Sequence, residues 1–477
     1  MNDSLSTAVE NALGVRTAQD DSKPDFFPGE VPPADDKHDA HPPKRRKRVD
    51  HHLWGTYLLL VFIAIIELFS ASIQEVNDGN IFGPIIRHGA FLVAGLVCML
   101  VLERIHYRYI FGCIPLYVAL SVGLMVWVFF LGADINGAQR AVRIGGVAIL
   151  PAEFMKLGAA LGMAWILAKT QMKDRRDVTT TGLVLSILFL GLCCGLLFSQ
   201  GLSNTIVTIA IGLSMMLVGG MSWKKFGIVL LVFGVVGAGA LTFKMQAKDH
   251  TELSERQKLT LELNKENLTE GIADGRGETW KQRIRRHFRG DKHKDTFNVK
   301  NQQELLSYIA QAHGGVLGVG PGKSRENARL PLAFSDYIFA IIVEELGLLA
   351  GLAILAIYMW ILGRSAKLTM QFKHTVPGVM VMGCSFVIVF QALYHMGIVT
   401  GVLPVSGQPL PLISKGGISV LATSLAFGVM LSVSRHAARV TDTGDIQKQE
   451  LEMLPENAQS VNPVQTGVVI TQNISKE

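Results

Sequence analysis

Ten runs of 17 to 26 mainly apolar residues dominate this 477-residue chain, at 53–73, 84–102, 110–131, 152–168, 181–198, 203–220, 226–243, 337–362, 375–399 and 416–434. A helix that crosses a bilayer needs about 20 such residues. Within hydrocarbon only helices and closed barrels satisfy their own backbone groups. The runs therefore predict an all-α polytopic integral membrane protein, a bundle of about ten transmembrane helices. The small-residue stretch Val236–Ala240 predicts close helix approach within it.

Composition agrees once it is divided by position. Apolar and cysteine side chains make up 49% of the chain and charged residues 18%, against about 25% charged in soluble domains. Mean hydropathy is +0.33. These figures exclude a disordered protein, a disulfide scaffold and an ordinary water-soluble enzyme. The five cysteines, Cys98, Cys113, Cys193, Cys194 and Cys384, lie inside apolar runs without metal-ligand spacing, so they read as small core or lipid-facing residues.

A net charge of +6 could suggest nucleic acid, but the basic residues sit where topology needs them. With ten spans, one side owns Lys44–Arg48, Arg104, Arg108, Lys173, Arg175, Arg176, Lys224, Lys225, Arg364, Lys367, Lys373, Arg435 and Arg439. The loops 74–83, 199–202 and 400–414 on the other side carry no lysine or arginine. Both termini are thus expected in the cytoplasm. Arg140 and Arg143 fall on the outer side and call for another role.

Residues 1–52 read as a disordered cytoplasmic tail with no signal-peptide core, residues 53–439 as the membrane domain, and 440–477 as a polar cytoplasmic tail. The outer loop 244–336, between the seventh and eighth spans, is too long for a simple connector. Within it Trp280, Ile284 and Phe288 recur at helical spacing among Lys281, Arg283, Arg285, Arg286 and Arg289. That pattern predicts a basic amphipathic helix in the headgroup layer, or a solvated surface helix. A second short helix is expected at 303–312.

The chemistry-bearing residues gather on the outer loops. The run GGVLGVGPGKS at 314–324 leaves three residues between Gly318 and Gly322 where a nucleotide-binding P-loop needs four, and no strand–helix unit surrounds it. Its backbone N–H groups, with Lys323 and Ser324, could approach a phosphate; the alternative is a hinge. Asp336, before the eighth span, could be a helix-terminal acid beside an N-cap Ser335 or a general base at the membrane interface. Glu344 and Glu345 lie within that span, where carboxylates are seldom idle. Glu344 lies about 80° round the helix from Asp336 and Glu345 about 180°, so only Glu344 could share a cavity with Asp336; a structural ion pair is the other reading. Glu153 and Lys156 share one helical face, as a local pair or as the wall of a polar cavity for an anionic headgroup. Arg140 and Arg143 suit phosphate. The Pro/Gly-broken loop 403–417, with Gln408 and Lys415, fits backbone that lines a cavity. There are no zinc spacings and no Ser-His-Asp order. The residues alone point to an outer-leaflet site for an anionic lipid headgroup.

Those motifs resemble the SEDS family of FtsW, RodA and SpoVE. The resemblance covers most of 53–439 and rests on NGAQR at 136–140, PAEFMKL at 151–157, GGVLGVGPGKS at 314–324, FSDYIFAIIVEELG at 334–347 and LPLISKGG at 410–417. The ending GQPLPLISKGG…LSVSR is most similar to the FtsW branch of the Bacteroidetes type. Three features depart from the family pattern. QGLSNT at 200–205 lacks the acidic residue of QPDLGT, Ser414-Lys415 stands where SYGG is usual, and the segment 244–302 has no counterpart in short members.

The resemblance implies a peptidoglycan glycosyltransferase that polymerises lipid II at the outer face of the bacterial cytoplasmic membrane. It would work at the division septum with a class B penicillin-binding protein and other division proteins. The family's essential aspartate falls on Asp336, implying inverting transfer with Asp336 as base. Arg140, Arg143, Glu153, Lys156, Lys323, Ser324, Arg329, Glu344, Gln408 and Lys415 are the expected substrate-binding residues. Arginines, Lys156 or a divalent cation, magnesium or manganese, would neutralise the leaving pyrophosphate. A lipid II flippase, an elongation polymerase and a non-catalytic division scaffold are the rival readings.

Overall fold

A computed structural model describes residues 49–76, 83–131, 133–135, 138–144, 147–172, 177–246, 302–326, 330, 333–440, 442 and 444–459. Every expected span is a helix: α1 (His51–Val76), α2 (Gly83–Arg104), α3 (Tyr107–Leu131), α4 (Pro151–Thr170), α5 (Thr180–Gln200), α6 (Leu202–Val218) and α7 (Trp223–Gln246) precede the long loop. After it come α8 (Gln302–Gly314), a single turn α9 (Ala333–Asp336), α10 (Ile338–Gln371), α11 (Thr375–Val399), α12 (Gly417–His436) and α13 (Gly444–Met453). The α8 helix is the one expected at 303–312.

Seven of these helices are long and apolar enough to cross a membrane by length and composition. Two of the other three expected spans have physical reasons for missing that standard: α6 has 17 residues, and α4 carries Glu153, Lys156 and Lys169. Between α3 and α4 the chain forms a small antiparallel ribbon rather than plain loop: β1 (Ala133–Ile135), β2 (Ala138–Ile144) and β3 (Val147–Ile149), in the order β1-β2-β3.

Capping is local and legible. Asp50 Oδ1 accepts from the His52 and Leu53 amides at 3.0 and 3.1 Å, Pro151 opens α4 at its first position, and Thr179 accepts from the Gly182 amide at the head of α5. Each satisfies or removes a donor that a helix start leaves unpaired. α11 and α12 are almost wholly enclosed by protein, whereas α2 and α3 expose most of their surface. α2 approaches α12 closely. A Cβ on Gly95 would lie 2.5 Å from Ser424 Oγ, and one on Gly428 2.8 Å from Leu102 Cβ. The stretch Val236–Ala240 does not do this, since a Cβ at Gly237 or Gly239 would meet nothing within 4 Å.

The helix ends sort by parity. At the end where α1 begins, Arg364 pairs with Asp50 at 2.6 Å. Arg435 pairs there with Glu103 at 2.8 Å, and Lys225 with Asp177 at 2.7 Å. The ribbon, the α5–α6 turn, the start of α10 and the α11–α12 loop all lie at the other end, where they build the site described next.

The final segment is not plain tail. Glu450 of α13 is buried and accepts from the Tyr107 hydroxyl and the Ala438 amide. Leu454 and Ala458, four and eight residues on, are buried as well.

Candidate functional site

One turn into α4, Lys156 is completely buried, and its ammonium donates to Glu153 Oε1 at 2.8 Å, Gln391 Oε1 at 2.9 Å and Gln408 Oε1 at 3.2 Å. An ammonium has three donors, so all are engaged. Gln391 of α11 returns a bond to Glu153 Oε2 at 3.1 Å and another to the Pro409 carbonyl at 3.2 Å. Gln408 donates to Asn204 Oδ1 of α6 at 2.7 Å, and its carbonyl lies 2.6 Å from His395 Nδ1. A buried charge persists only when it is paired and hydrogen-bonded, and here both charges are. The sequence reading named Glu153, Lys156 and Gln408 but missed Gln391, His395 and Asn204. A signal was present, because an amide and an imidazole one turn apart inside an apolar span are expensive there.

Asp336 stands at the same end, half-buried, on the turn before α10. The residue at the N-cap of α10 is Tyr337, whose side chain makes no capping bond, so Ser335 is not the cap. Its hydroxyl instead donates to Asp336 Oδ1 at 2.8 Å. The α11–α12 loop closes behind the carboxylate: a Cβ on Gly407 would lie 2.7 Å from Asp336 Oδ2. The same loop grips the chain beside Asp336, because Ser414 Oγ donates to the Ser335 carbonyl at 2.9 Å and receives the Leu410 amide at 2.7 Å. The Tyr358 hydroxyl holds the Pro411 carbonyl at 2.6 Å. Leu412 sits at φ 64°, in the left-handed region, a strained conformation that persists only where surrounding structure imposes it.

The glycine-rich segment is arranged differently from a phosphate cradle. α10 breaks at Gly347 (φ 86°), which frees carbonyls before the break and amides after it. Residues 315–320 complete them: the Val319 and Gly320 amides donate to the Glu344 and Glu345 carbonyls at 3.0 and 2.8 Å, and the Leu348 amide donates to the Gly315 carbonyl at 3.0 Å. The two carboxylates take the next amides. Gly322 N donates to Glu345 Oε2 at 3.0 Å and Arg325 N to Glu344 Oε1 at 3.0 Å, while the Ser324 hydroxyl bonds Glu344 Oε2. Anionic side chains of this chain thus hold the loop's donors. Glu344 serves that clamp with Ser324. Glu345 also accepts from Ser70 of α1.

The remaining candidates are scattered. Lys323 is exposed on the loop and Lys415 is half-buried beside α12. Arg140 and Arg143 belong to β2. Arg329 and the expected amphipathic helix around 280–289 lie outside the described residues. Among the described residues no group of three or more His, Cys, Asp or Glu could hold a metal ion.

The sequence is matched over residues 50–272 and 276–439 by the family described as cell cycle protein, FTSW_RODA_SPOVE. It is 26% identical over 388 residues to peptidoglycan glycosyltransferase MrdB of Escherichia coli (strain K12), spanning 81% of this chain and 94% of that one. It is also 26% identical over 406 residues to the protein named "Probable peptidoglycan glycosyltransferase FtsW" of Geobacter metallireducens, spanning 82% and 96%. Two solved structures share the fold. The rod shape determining protein RodA of Thermus thermophilus has a TM-score of 0.54 at 20% identity, over 83% of this chain and 98% of that one. A chain from "Structural coordination of polymerization and crosslinking by a peptidoglycan synthase complex" has a TM-score of 0.56 at 22% identity, over 83% and 99%.

Proposed function

The chain belongs to the FtsW, RodA and SpoVE family, and on that premise we propose that it is a peptidoglycan glycosyltransferase with Asp336 as general base. The observation that carries the reading is the setting of Asp336. It is a half-buried carboxylate at the ribbon end of the bundle, hydrogen-bonded by Ser335 and backed by Gly407. The relatives named above are peptidoglycan glycosyltransferases by name, which supports the activity.

The reaction joins two lipid II molecules at the outer membrane face. Asp336 takes the proton of the acceptor GlcNAc 4-hydroxyl as that oxygen attacks the donor MurNAc anomeric carbon. The bond to undecaprenyl pyrophosphate breaks with inversion, and the pyrophosphate leaves with the electron pair. A positioned base is worth about 10²–10⁴-fold in rate.

Lys156, with every donor engaged, acts on the site through the loop it holds, and we assign the leaving group's charge to Arg140 and Arg143 of β2. A divalent cation would fit as a partner of the pyrophosphate and water, the manner in which magnesium binds with few protein ligands. It would supply charge neutralisation there. The described residues offer no cluster to hold such an ion on their own.

The partner we propose is a class B penicillin-binding protein. Septal division is favoured over elongation by the likeness of the 407–435 ending to FtsW. The termini are assigned to the cytoplasm by the lysines and arginines of the opposite end. The test is polymerisation of lipid II by the purified chain in liposomes with its cognate transpeptidase. Wild type should make glycan, and Asp336→Asn, unfolding at the same temperature, should make none. Equal product from both would remove Asp336 from the chemistry, and no product from wild type would overturn the activity.

A further inference from the structure

His395 of α11 is completely buried, and its Nδ1 lies 2.6 Å from the Gln408 carbonyl oxygen. A carbonyl only accepts, so Nδ1 carries the proton, and in the neutral ring Nε2 is then an unprotonated acceptor. Nε2 has no hydrogen-bond partner among the described residues. A leucine of similar volume would fill this place without burying an unmatched nitrogen, so packing does not account for the imidazole. The Nδ1 bond does.

That bond acts on a residue used at every polar group. With its carbonyl on His395, Gln408 also receives Lys156 on Oε1 at 3.2 Å, gives Nε2 to Asn204 at 2.7 Å and gives its amide to the Ser406 carbonyl at 3.1 Å. The preceding residue is Gly407, whose Cα stands against the Asp336 carboxylate so closely that a Cβ would fall 2.7 Å from Oδ2. Ser414, from the far end of the same loop, holds the Ser335 carbonyl. The loop is therefore the seat of Asp336, and among the described residues His395 is the side chain that fixes the Gln408 backbone itself.

We infer that His395 is a positioning residue: its Nδ1 bond to the Gln408 carbonyl sets the height of Gly407 beneath Asp336 and joins that seat to the buried Glu153–Lys156 pair. The inference rests on Asp336 being the base. Displacement of a reacting group by about 1 Å can cost about 10²-fold in rate, so loss of the bond should appear in kcat and leave KM for lipid II nearly unchanged.

The experiment compares wild type, His395→Leu, His395→Asn and Asp336→Asn in the lipid II polymerisation assay, as full chain with its cognate transpeptidase. Kcat and KM are measured beside thermal unfolding. Asparagine places an amide N–H where Nδ1 stood, whereas leucine has no donor. The expected result is a kcat about 10- to 100-fold lower for His395→Leu, with KM held and most of the loss recovered in His395→Asn. Wild-type kcat in His395→Leu, equal loss in both His395 variants, or a change confined to KM would overturn it. If His395→Leu does not fold, Gly407→Ala reads the same link from its other end. Its methyl should push the Asp336 carboxylate away and lower kcat, and an unchanged kcat would overturn the link. Glycan that survives Asp336→Asn would remove the base, and no glycan from wild type would remove the activity; either would take this inference with it.

Discussion

Lys156 and Glu153 form an ion pair at 2.8 Å in which no part of the lysine reaches solvent. Gln391 bonds both members, donating to the carboxylate and accepting from the ammonium. Removing either charge alone leaves the other buried and uncompensated, a loss of about 3–5 kcal/mol. Lys156→Met and Glu153→Gln should therefore each lower the unfolding temperature markedly, and the double variant should recover part of that loss. A double-mutant cycle in thermal unfolding measures the coupling; additive losses would mean that the pair is not a unit.

The loop 314–326 and the first part of α10 depend on two glycines that face each other. A Cβ on Gly347 (φ 86°) would fall 2.3 Å from the Val316 carbonyl oxygen, and one on Gly318 (φ 79°) 2.3 Å from the Glu345 carbonyl oxygen. Both obstacles are backbone, and both positions are left-handed, so neither substitution has an easy way out. Gly347→Ala and Gly318→Ala should each destabilise the protein by about 1–3 kcal/mol from backbone strain alone. Thermal unfolding in detergent checks this, with the unconstrained helical Gly237→Ala as a control expected to be no less stable than wild type.

Glu344 caps the same loop from inside the bundle, taking the Arg325 amide and the Ser324 hydroxyl. Truncation leaves those donors without an acceptor, at about 1–3 kcal/mol for each buried group. Glu344→Ala should open the segment around 320–326 to limited proteolysis at temperatures where wild type resists cleavage. Cleavage equal to that of wild type would show that the carboxylate is not what holds the loop.

The legible and illegible parts of this molecule divide on physical lines. The ten helices could be read because a bilayer demands a minimum apolar length, and that demand is local in sequence. Glu153 and Lys156 could be paired because one helical turn separates them. The phosphate-cradle reading of 314–324 went astray because the acceptors for its amides, Glu344 and Glu345, come from the following helix some 20 residues on. Backbone donors in a glycine-rich run look the same whether a ligand or the chain itself will occupy them. The break at Gly347 was hidden for a similar reason, since one glycine in an apolar run does not announce a kink. Gln391 and His395 were readable as polar residues inside a span, but their partners Glu153 and Gln408 come from other segments of the chain. The docked segment 444–459 was masked by polar composition, although its buried residues Glu450, Leu454 and Ala458 recur every four positions.

Asp177, on the connection between α4 and α5, offers a measurable pH dependence at the end of the bundle away from Asp336. Burial pulls its carboxyl upward. The Lys225 hydrogen bond, the Ser222 and Val178 amides and the Lys225 charge outweigh that and hold its pKa below the ordinary 3.8. A carboxyl whose folded pKa is lowered stabilises the protein above its unfolded value and loses that contribution as pH falls through the folded one. The contribution should thus be complete above about pH 5 and fade below 3.8. For a partly exposed pair it should amount to roughly 1 kcal/mol or less. Asp177→Asn should accordingly unfold at a lower temperature than wild type at neutral pH, with the gap narrowing as the pH is taken below 4. A gap that stayed constant across that range would show that the ion pair with Lys225 contributes nothing beyond packing.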